Sequence, residues 1–410
     1  MRIGRIAAVA VLIASLTLTA GGCAPERDPR ASPSPTATPS ATPVPSPTLS
    51  PSRPPSPSPS PTATAPDPLA GMSLRERVAQ LFMVGTGVDR VDRVTLSAVA
   101  DRHIGGVFLR GRSHAGVAAT ASLVRKFTAR LPASAPPLWV ATDQEGGKVQ
   151  VLSGEGFRDI PSALAQARSG CGTLDTRARR WGRELAAAGV TMNLAPVVDI
   201  VTSAKKADDN PPIGRLDRQY GFDEATVTAC AGAVARGMRR AGILPTFKHF
   251  PGLGRTTANT DFSRGVTDTE VTASSPDVDV YRTLLPRGSA VVMVSTAVYE
   301  RIDPSAPAAF SPDVVTGLLR RELGFDGVVM TDDISATAQV ERWRPGTRAI
   351  LAIRAGVDLL LVSADANVFP PMYRAVLRKA RTDPAFAAQV DAAARRIVEL
   401  KNSFPPVAHR

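Results

Sequence analysis

From about Pro68 to the C-terminus the chain repeats one rhythm. A short, continuous apolar run rich in β-branched residues is followed by a stretch with helical spacing. The runs are Leu81–Val84, Gly106–Leu109, Leu138–Thr142, Thr191–Val198, Leu244–Lys248, Ala290–Ser295, Gly327–Thr331 and Leu359–Val362, eight in all. A strand with one wet face alternates apolar and polar residues, whereas a run apolar throughout predicts a parallel strand covered on both faces. Helical segments between the runs include Asp175–Ala188, Glu224–Ala241, Pro312–Glu322 and Thr347–Ala355. The second of these meets Gly242 and the last meets Gly356, and a glycine just past the final turn is a helix stop.

Eight β-then-α repeats over roughly 340 residues predict an α/β fold, a (β/α)8 TIM barrel, in one catalytic domain spanning 68–410. The alternative is a doubly wound open sheet. The polar residues favour the barrel: Asp143 follows run three, Asp199 follows run four, Lys248 and His249 end run five, Ser295 ends run six and Asp332 follows run seven. Polar residues at the C-terminal ends of successive strands converge on one rim, where barrels place their active sites.

The region before the barrel has a different character. Arg2 and Arg5 flank a basic start, an apolar run continues from Ile6 to about Ala20, and Gly21-Gly22-Cys23 follows. That run is short for a membrane span and has the layout of a signal peptide over residues 1–22. A cysteine directly after small residues resembles a bacterial lipoprotein signal, which makes Cys23 the lipidation site and anchors the protein to the outside of the cell membrane. Ala20 stands where such signals usually carry leucine, and an ordinary cleaved secretory signal is the alternative. Residues 23–67 are almost wholly Pro, Ser, Thr and Ala. With so little apolar surface to bury, the segment cannot offset the entropy of ordering and is expected to be a disordered stalk. Export also bears on the two remaining cysteines, Cys171 and Cys230, which an oxidising compartment can join in a disulfide; two buried thiols are the alternative.

The formal net charge is +12. No basic run is interleaved with aromatic residues, so scattered arginines explain the charge better than a nucleic-acid partner. The four histidines, His103, His114, His249 and His409, show no His-x-x-x-His spacing, so no metal is expected. There is no phosphate loop, dinucleotide fingerprint or Gly-x-Ser-x-Gly elbow, and no cofactor is expected.

Three acidic or cationic clusters remain. Asp332-Asp333 ends an apolar strand, and a buried strand should not end in adjacent acids unless they have partners or a task. A helix N-cap role suits Asp333 better than Asp332. Asp143-Gln144-Glu145-Gly146-Gly147-Lys148 also follows an apolar strand, and its glycines let backbone come close to a ligand; a tight turn with solvated acids is the plainer reading. Phe247-Lys248-His249-Phe250-Pro251-Gly252 carries two groups able to donate to hydroxyls, although Lys248 can equally pair with a barrel acid. Carboxylates facing each other on one rim suit glycoside hydrolysis, in which one carboxyl protonates the leaving oxygen and another attacks or stabilises the sugar cation.

Taken together, these motifs resemble glycoside hydrolase family 3, in its N-acetylglucosaminidase branch of cell-wall recycling enzymes, from Leu74 to about Lys401. Asn193-Leu194-Ala195-Pro196-Val197-Val198-Asp199, Lys248-His249-Phe250-Pro251-Gly252 and Thr331-Asp332-Asp333-Ile334-Ser335 carry much of the likeness. The resemblance implies a retaining exo-β-N-acetylhexosaminidase acting on an amino-sugar glycan derived from peptidoglycan. It makes Asp332 the nucleophile, Asp143, Lys248 and His249 ligands of sugar hydroxyls, and Arg218 a substrate contact.

One departure bears on the chemistry. The branch carries Asp-Ser-His in the loop after the Lys-His motif, with the histidine as acid/base; here Asn259-Thr260-Asp261 occupies those positions. A second is Thr296, where histidine is frequent. Asp261 is therefore expected to take the acid/base role, its pKa raised by closeness to Asp332. The alternatives are another residue as acid/base, a weakly active or non-catalytic wall-glycan-binding barrel, and a β-glucosidase-type enzyme.

Overall fold

The computed structural model describes residues 67–404. The segment expected as a signal peptide, Cys23 and nearly all of the expected stalk lie outside the described residues.

Each apolar run supplies one strand of a single parallel sheet: β1 (Phe82–Gly87), β2 (Gly106–Arg110), β3 (Trp139–Thr142), β4 (Met192–Asn193), β5 (Leu244–Phe250), β6 (Val291–Val294), β7 (Val329–Thr331) and β8 (Leu360–Val362). The order around the sheet is β7-β6-β5-β4-β3-β2-β1-β8. Its two end strands meet. Met330 bridges Leu359, the Thr331 N–H donates to the Leu359 carbonyl at 3.0 Å, and the Leu361 N–H donates to Thr331 Oγ1 at 3.0 Å. The result is a nearly closed eight-stranded parallel barrel whose strands, apart from the half-exposed end of β2, are buried along their length. Parallel strands wrapped by helices have no wet face, which is why the runs do not alternate.

A helix follows every strand. In chain order these are Arg93–Arg102, Gly116–Thr128, Leu174–Ala187, Glu224–Arg240, Pro276–Leu284, Asp313–Glu322, Pro345–Ala355 and Phe369–Thr382. The four helical segments expected from the sequence fall within two residues of observed helices. Asp313–Glu322 differs in winding as a wider π-helix, which apolar spacing alone does not distinguish from an α-helix. Gly356 ends its helix at φ 108°, a conformation that a side chain would resist. A last helix, Pro384–Ser403, lies against the N-terminal strand ends, where the buried Lys401 Nζ donates to Gln80 Oε1 at 2.7 Å and to the Gly105 carbonyl at 2.8 Å.

Run four needs correction. Thr191–Val198 was expected as a continuous strand, but only Met192–Asn193 pairs regularly. Pro196 has no N–H to give a ladder. The chain beyond β4 instead follows β5 through separate contacts: the Thr246 N–H donates to the Ala195 carbonyl at 2.9 Å and the Val198 N–H to the Lys248 carbonyl at 2.8 Å.

Cys171, at the turn before Leu174–Ala187, and Cys230, in Glu224–Arg240, are joined as a disulfide with Cα atoms 4.7 Å apart and 59 residues of separation. Closing a loop of that length removes chain entropy worth about 4 kcal/mol from the unfolded state. Replacing both cysteines by alanine is expected to lower the melting temperature by several degrees under non-reducing conditions, as differential scanning calorimetry would measure. An unchanged melting temperature would show that the bridge adds no stability.

Candidate active site

The C-terminal ends of the strands surround a cleft of about 380 Å³. The structure brings Asp143, Arg218, Lys248, His249, Asp261 and Asp332 together in its lining. Asp332 stands at the end of β7, half-buried, its N–H donating to the Val294 carbonyl of β6 at 2.9 Å.

The floor is a charge network between strands. Lys248 Nζ lies 2.6 Å from Asp143 Oδ1 and 2.8 Å from Glu145 Oε1. Glu145 in turn accepts two parallel hydrogen bonds from Arg218, Nε to Oε2 and Nη2 to Oε1, both at 2.8 Å. Arg218 also donates through Nη1 to the Pro212 carbonyl at 2.7 Å, leaving its remaining N–H groups free of these partners. Burial raises the pKa of Glu145, but Arg218 and then Lys248 outweigh it and hold it at about 2. Burial disfavours the charged Lys248, yet Asp143 and Glu145 more than reverse this and raise its pKa. Sequence reasoning left Glu145 without a role; the signal was its place one residue from Asp143's neighbour in a glycine-bounded turn. The plainer expectation for Lys248, pairing with a barrel acid, is what its ammonium does.

Lys248 and His249 are consecutive on β5, where alternate side chains should point apart. A bulge resolves this. Lys248 registers with Met293 and Phe250 with Val294, so His249 is the extra residue and both side chains reach the cleft. Asp199 fixes the ring: its Oδ2 sits 2.8 Å from His249 Nδ1, while Oδ1 accepts the N–H groups of His249 at 3.1 Å and Leu253 at 2.8 Å. A carboxylate at Nδ1 holds the proton there and turns Nε2 toward the cleft.

Contrary to the N-cap role that the sequence suggests, Asp333 starts no helix. Its carboxylate accepts the Ser335, Ala336 and Ser363 N–H groups at 3.2, 3.0 and 2.7 Å, tying the loop after β7 to the end of β8. Arg348 braces the same loop through the Ile334 and Ser335 carbonyls at 2.9 and 2.8 Å. Thr296, the other departure noted in the sequence, is fully buried.

The loop carrying Asp261 is clamped to this one. The Ala338 N–H donates to the Asp261 carbonyl at 3.2 Å and the Gln339 N–H to the Thr260 carbonyl at 3.1 Å. The buried Gln339 side chain then grips Val266 at both ends, accepting its N–H at 2.9 Å and donating to its carbonyl at 3.0 Å. At the loop's other end Asn210 donates to the Leu253 and Thr256 carbonyls at 2.8 and 2.7 Å. Gly254 is required there because a Cβ would run into the Ile200 carbonyl. Asn259 accepts the Asp261 N–H at 2.8 Å. Asp261 stands at the rim with much of its residue surface open to solvent, while its carboxyl is crowded on the cleft side. Enclosure of its carboxyl by the cleft, then the negative charges of Asp332 and Asp333, push its pKa up to about 6.

Comparison with known proteins gives a consistent neighbourhood. Residues 73–400 match the glycosyl hydrolase family 3 N-terminal domain. The crystal structure of a β-N-acetylhexosaminidase from Beutenbergia cavernae superposes with a TM-score of 0.80 at 53% identity, covering 81% of this chain and 99% of that one. The β-hexosaminidase LpqI of Mycobacterium tuberculosis is 33% identical over 345 residues, 82% of this chain and 84% of its own length. A family 3 β-N-acetylglucosaminidase from a Paenibacillus species has a TM-score of 0.77 at 30% identity, covering 83% of this chain and 64% of that one.

The network makes a stability prediction. Replacing Glu145 by Gln leaves Arg218 and Lys248 short of a buried counter-charge, and breaking such a pair costs about 3–5 kcal/mol. The folded pKa of Glu145 is depressed from 4.5 to about 2. Its contribution is therefore present above pH 4.5 and lost as pH falls from there toward 2, about 3 kcal/mol across that window. Urea unfolding of wild type and Glu145→Gln is expected to show a gap at pH 7 that narrows below pH 4.5. A gap that does not change with pH would overturn the assignment of charge.

Proposed function

The chain belongs to glycosyl hydrolase family 3, and on that footing we propose that it is a β-N-acetylhexosaminidase releasing terminal β-linked N-acetylglucosamine from peptidoglycan-derived sugars with retention of configuration. The observation that carries the reading is the placing of Asp332 and Asp261 on two mutually clamped loops of one cleft, with Asp261 held at about 6. In this reading Asp332 attacks the anomeric carbon. Asp261 gives its proton to the glycosidic oxygen as that bond breaks, and the aglycone leaves. Water then attacks the glycosyl-Asp332 ester, passing its proton to Asp261, and both carboxyls return to their starting states.

Asp143, Lys248, His249 and Arg218 serve the sugar hydroxyls. Lys248 and Asp143 present a fixed donor and acceptor, and the free edge of His249 supplies a third contact. The exchange of Asp-Ser-His for Asn259-Thr260-Asp261 is chemically coherent. A histidine acid gains from an anionic partner, whereas an aspartic acid that must hold its proton gains from a neutral one. Asn259 supplies that neutrality while shaping the turn through the Asp261 N–H.

We place the enzyme outside the cell membrane, anchored through Cys23. The signal-like N-terminus supports this, as does the Cys171–Cys230 disulfide, since such bonds persist in oxidising compartments.

Two outcomes test the roles. Asp332→Asn is expected to cut release of chromophore from an aryl β-N-acetylglucosaminide by about 10³-fold or more while the far-UV circular dichroism is unchanged; a folded variant within tenfold of wild type would exclude Asp332 as nucleophile. For Asp261 the proton is bound below its pKa and lost above it. kcat/KM on a substrate with a poor leaving group should thus fall as pH rises through about 6. Asp261→Asn should flatten that limb and slow turnover by about 10²- to 10⁴-fold. A limb that survives in the variant would assign the acid elsewhere.

A further inference from the structure

We infer that Phe262 is the platform of a leaving-group subsite, stacking against the pyranose ring joined to the glycosidic oxygen. The inference rests on the hydrolase reading and adds to it what the cleft grips on the far side of the scissile bond.

Among the described residues Phe262 stands out as an exposed large hydrophobic side chain, 84% open to solvent. It is not loose. Its N–H donates to the Asn259 carbonyl at 3.2 Å, the next N–H, of Ser263, to the same carbonyl at 2.9 Å, and the preceding carbonyl of Asp261 accepts from Ala338. A phenyl ring held in water on an anchored turn has no internal partner to explain it. It also lines the same cleft as Asp332 and directly follows Asp261.

The order of groups along a glycosidic bond fixes what lies beside it. The sugar being transferred sits inward, among Asp143, Lys248, His249 and Asp332. The acid must touch the bridging oxygen, so whatever that oxygen carries extends outward past Asp261, where Phe262 stands. A β-linked pyranose with mainly equatorial hydroxyls offers a face of axial C–H groups. Those hydrogens carry partial positive charge and suit the negative face of an aromatic ring. The ligand class is therefore a β-linked sugar aglycone, the second ring of a di- or oligosaccharide.

The test uses the full chain and two kinds of readout. In an Asp332→Asn background, calorimetry measures affinity for N,N'-diacetylchitobiose and for N-acetylglucosamine. Adding Phe262→Ala is expected to lower the disaccharide-to-monosaccharide affinity ratio by about 3- to 10-fold, and Phe262→Tyr to restore it. In the active enzyme, the ratio of kcat/KM for diacetylchitobiose to that for N-acetylglucosaminyl fluoride, which has no second ring, should fall by a similar factor in Phe262→Ala. Affinity ratios within twofold of each other would overturn the platform. So would a change in molecular mass by light scattering on Phe262→Ala, which would assign the phenyl to contact between copies. Failure of the wild-type chain to turn over either substrate would defeat the hydrolase reading instead, and the affinity ratio would still decide for or against the platform.

Discussion

The cleft depends on a charge balance made in a nearly dry place. Lys248 and Arg218 are both largely buried, and an isolated cation there would be prohibitively costly. Glu145 answers both, and Asp143 answers Lys248 a second time. Because these groups belong to the ends of β3 and β5 and to the turn at 218, satisfying their charges also fixes the spacing of those elements. The interaction that keeps the cations charged also fixes the floor, so under the hydrolase reading the groups proposed to meet sugar hydroxyls are set in advance. Two carboxyls that both face Arg218's charge show how strongly local surroundings decide: Glu145 is drawn down to about 2 by cations, whereas Asp261 is pushed to about 6 by crowding of its carboxyl and by two other acids.

Much of this was legible in the sequence. The eight uninterrupted apolar runs each became a strand of one parallel sheet, since burial on both faces leaves a signature that survives without any structure. Residues ending those runs were brought to one rim because strand direction forces it. What escaped the reading was whatever depends on departures from regularity. Pro196 cut run four short, and a bulge turned His249 inward beside Lys248. Glu145 was passed over because a carboxylate in a glycine-bounded turn reads as solvated until its cations are placed around it. Asp333 was expected at a helix start and instead gathers N–H groups from two loops, a pattern that arises only when β7 and β8 meet. Gln339 gave no signal, since a single amide far along the chain says nothing about which backbone it will hold.

The departure at Asn259-Thr260-Asp261 gains its meaning from that amide. An aspartic acid on a free loop would sit near its ordinary pKa and lose its proton well below pH 6. The backbone pairing of residues 260–261 with 338–339, and Gln339's grip on Val266, keep the carboxyl beside Asp332 and Asp333, whose charges raise its proton affinity. Position and acidity are thereby one property of the fold.

The same clamp has a kinetic side. Many enzymes set their pace by the swing of a lid, and the segment bearing the acid is often that lid. Here both flanks of the segment are sewn to the barrel, at Asn210 on one side and Gln339 on the other. Under the hydrolase reading, sugar would enter and leave through an opening whose rim is already tied in place. On that reading the hold of the walls on each departing fragment, rather than the swing of a lid, would set the pace.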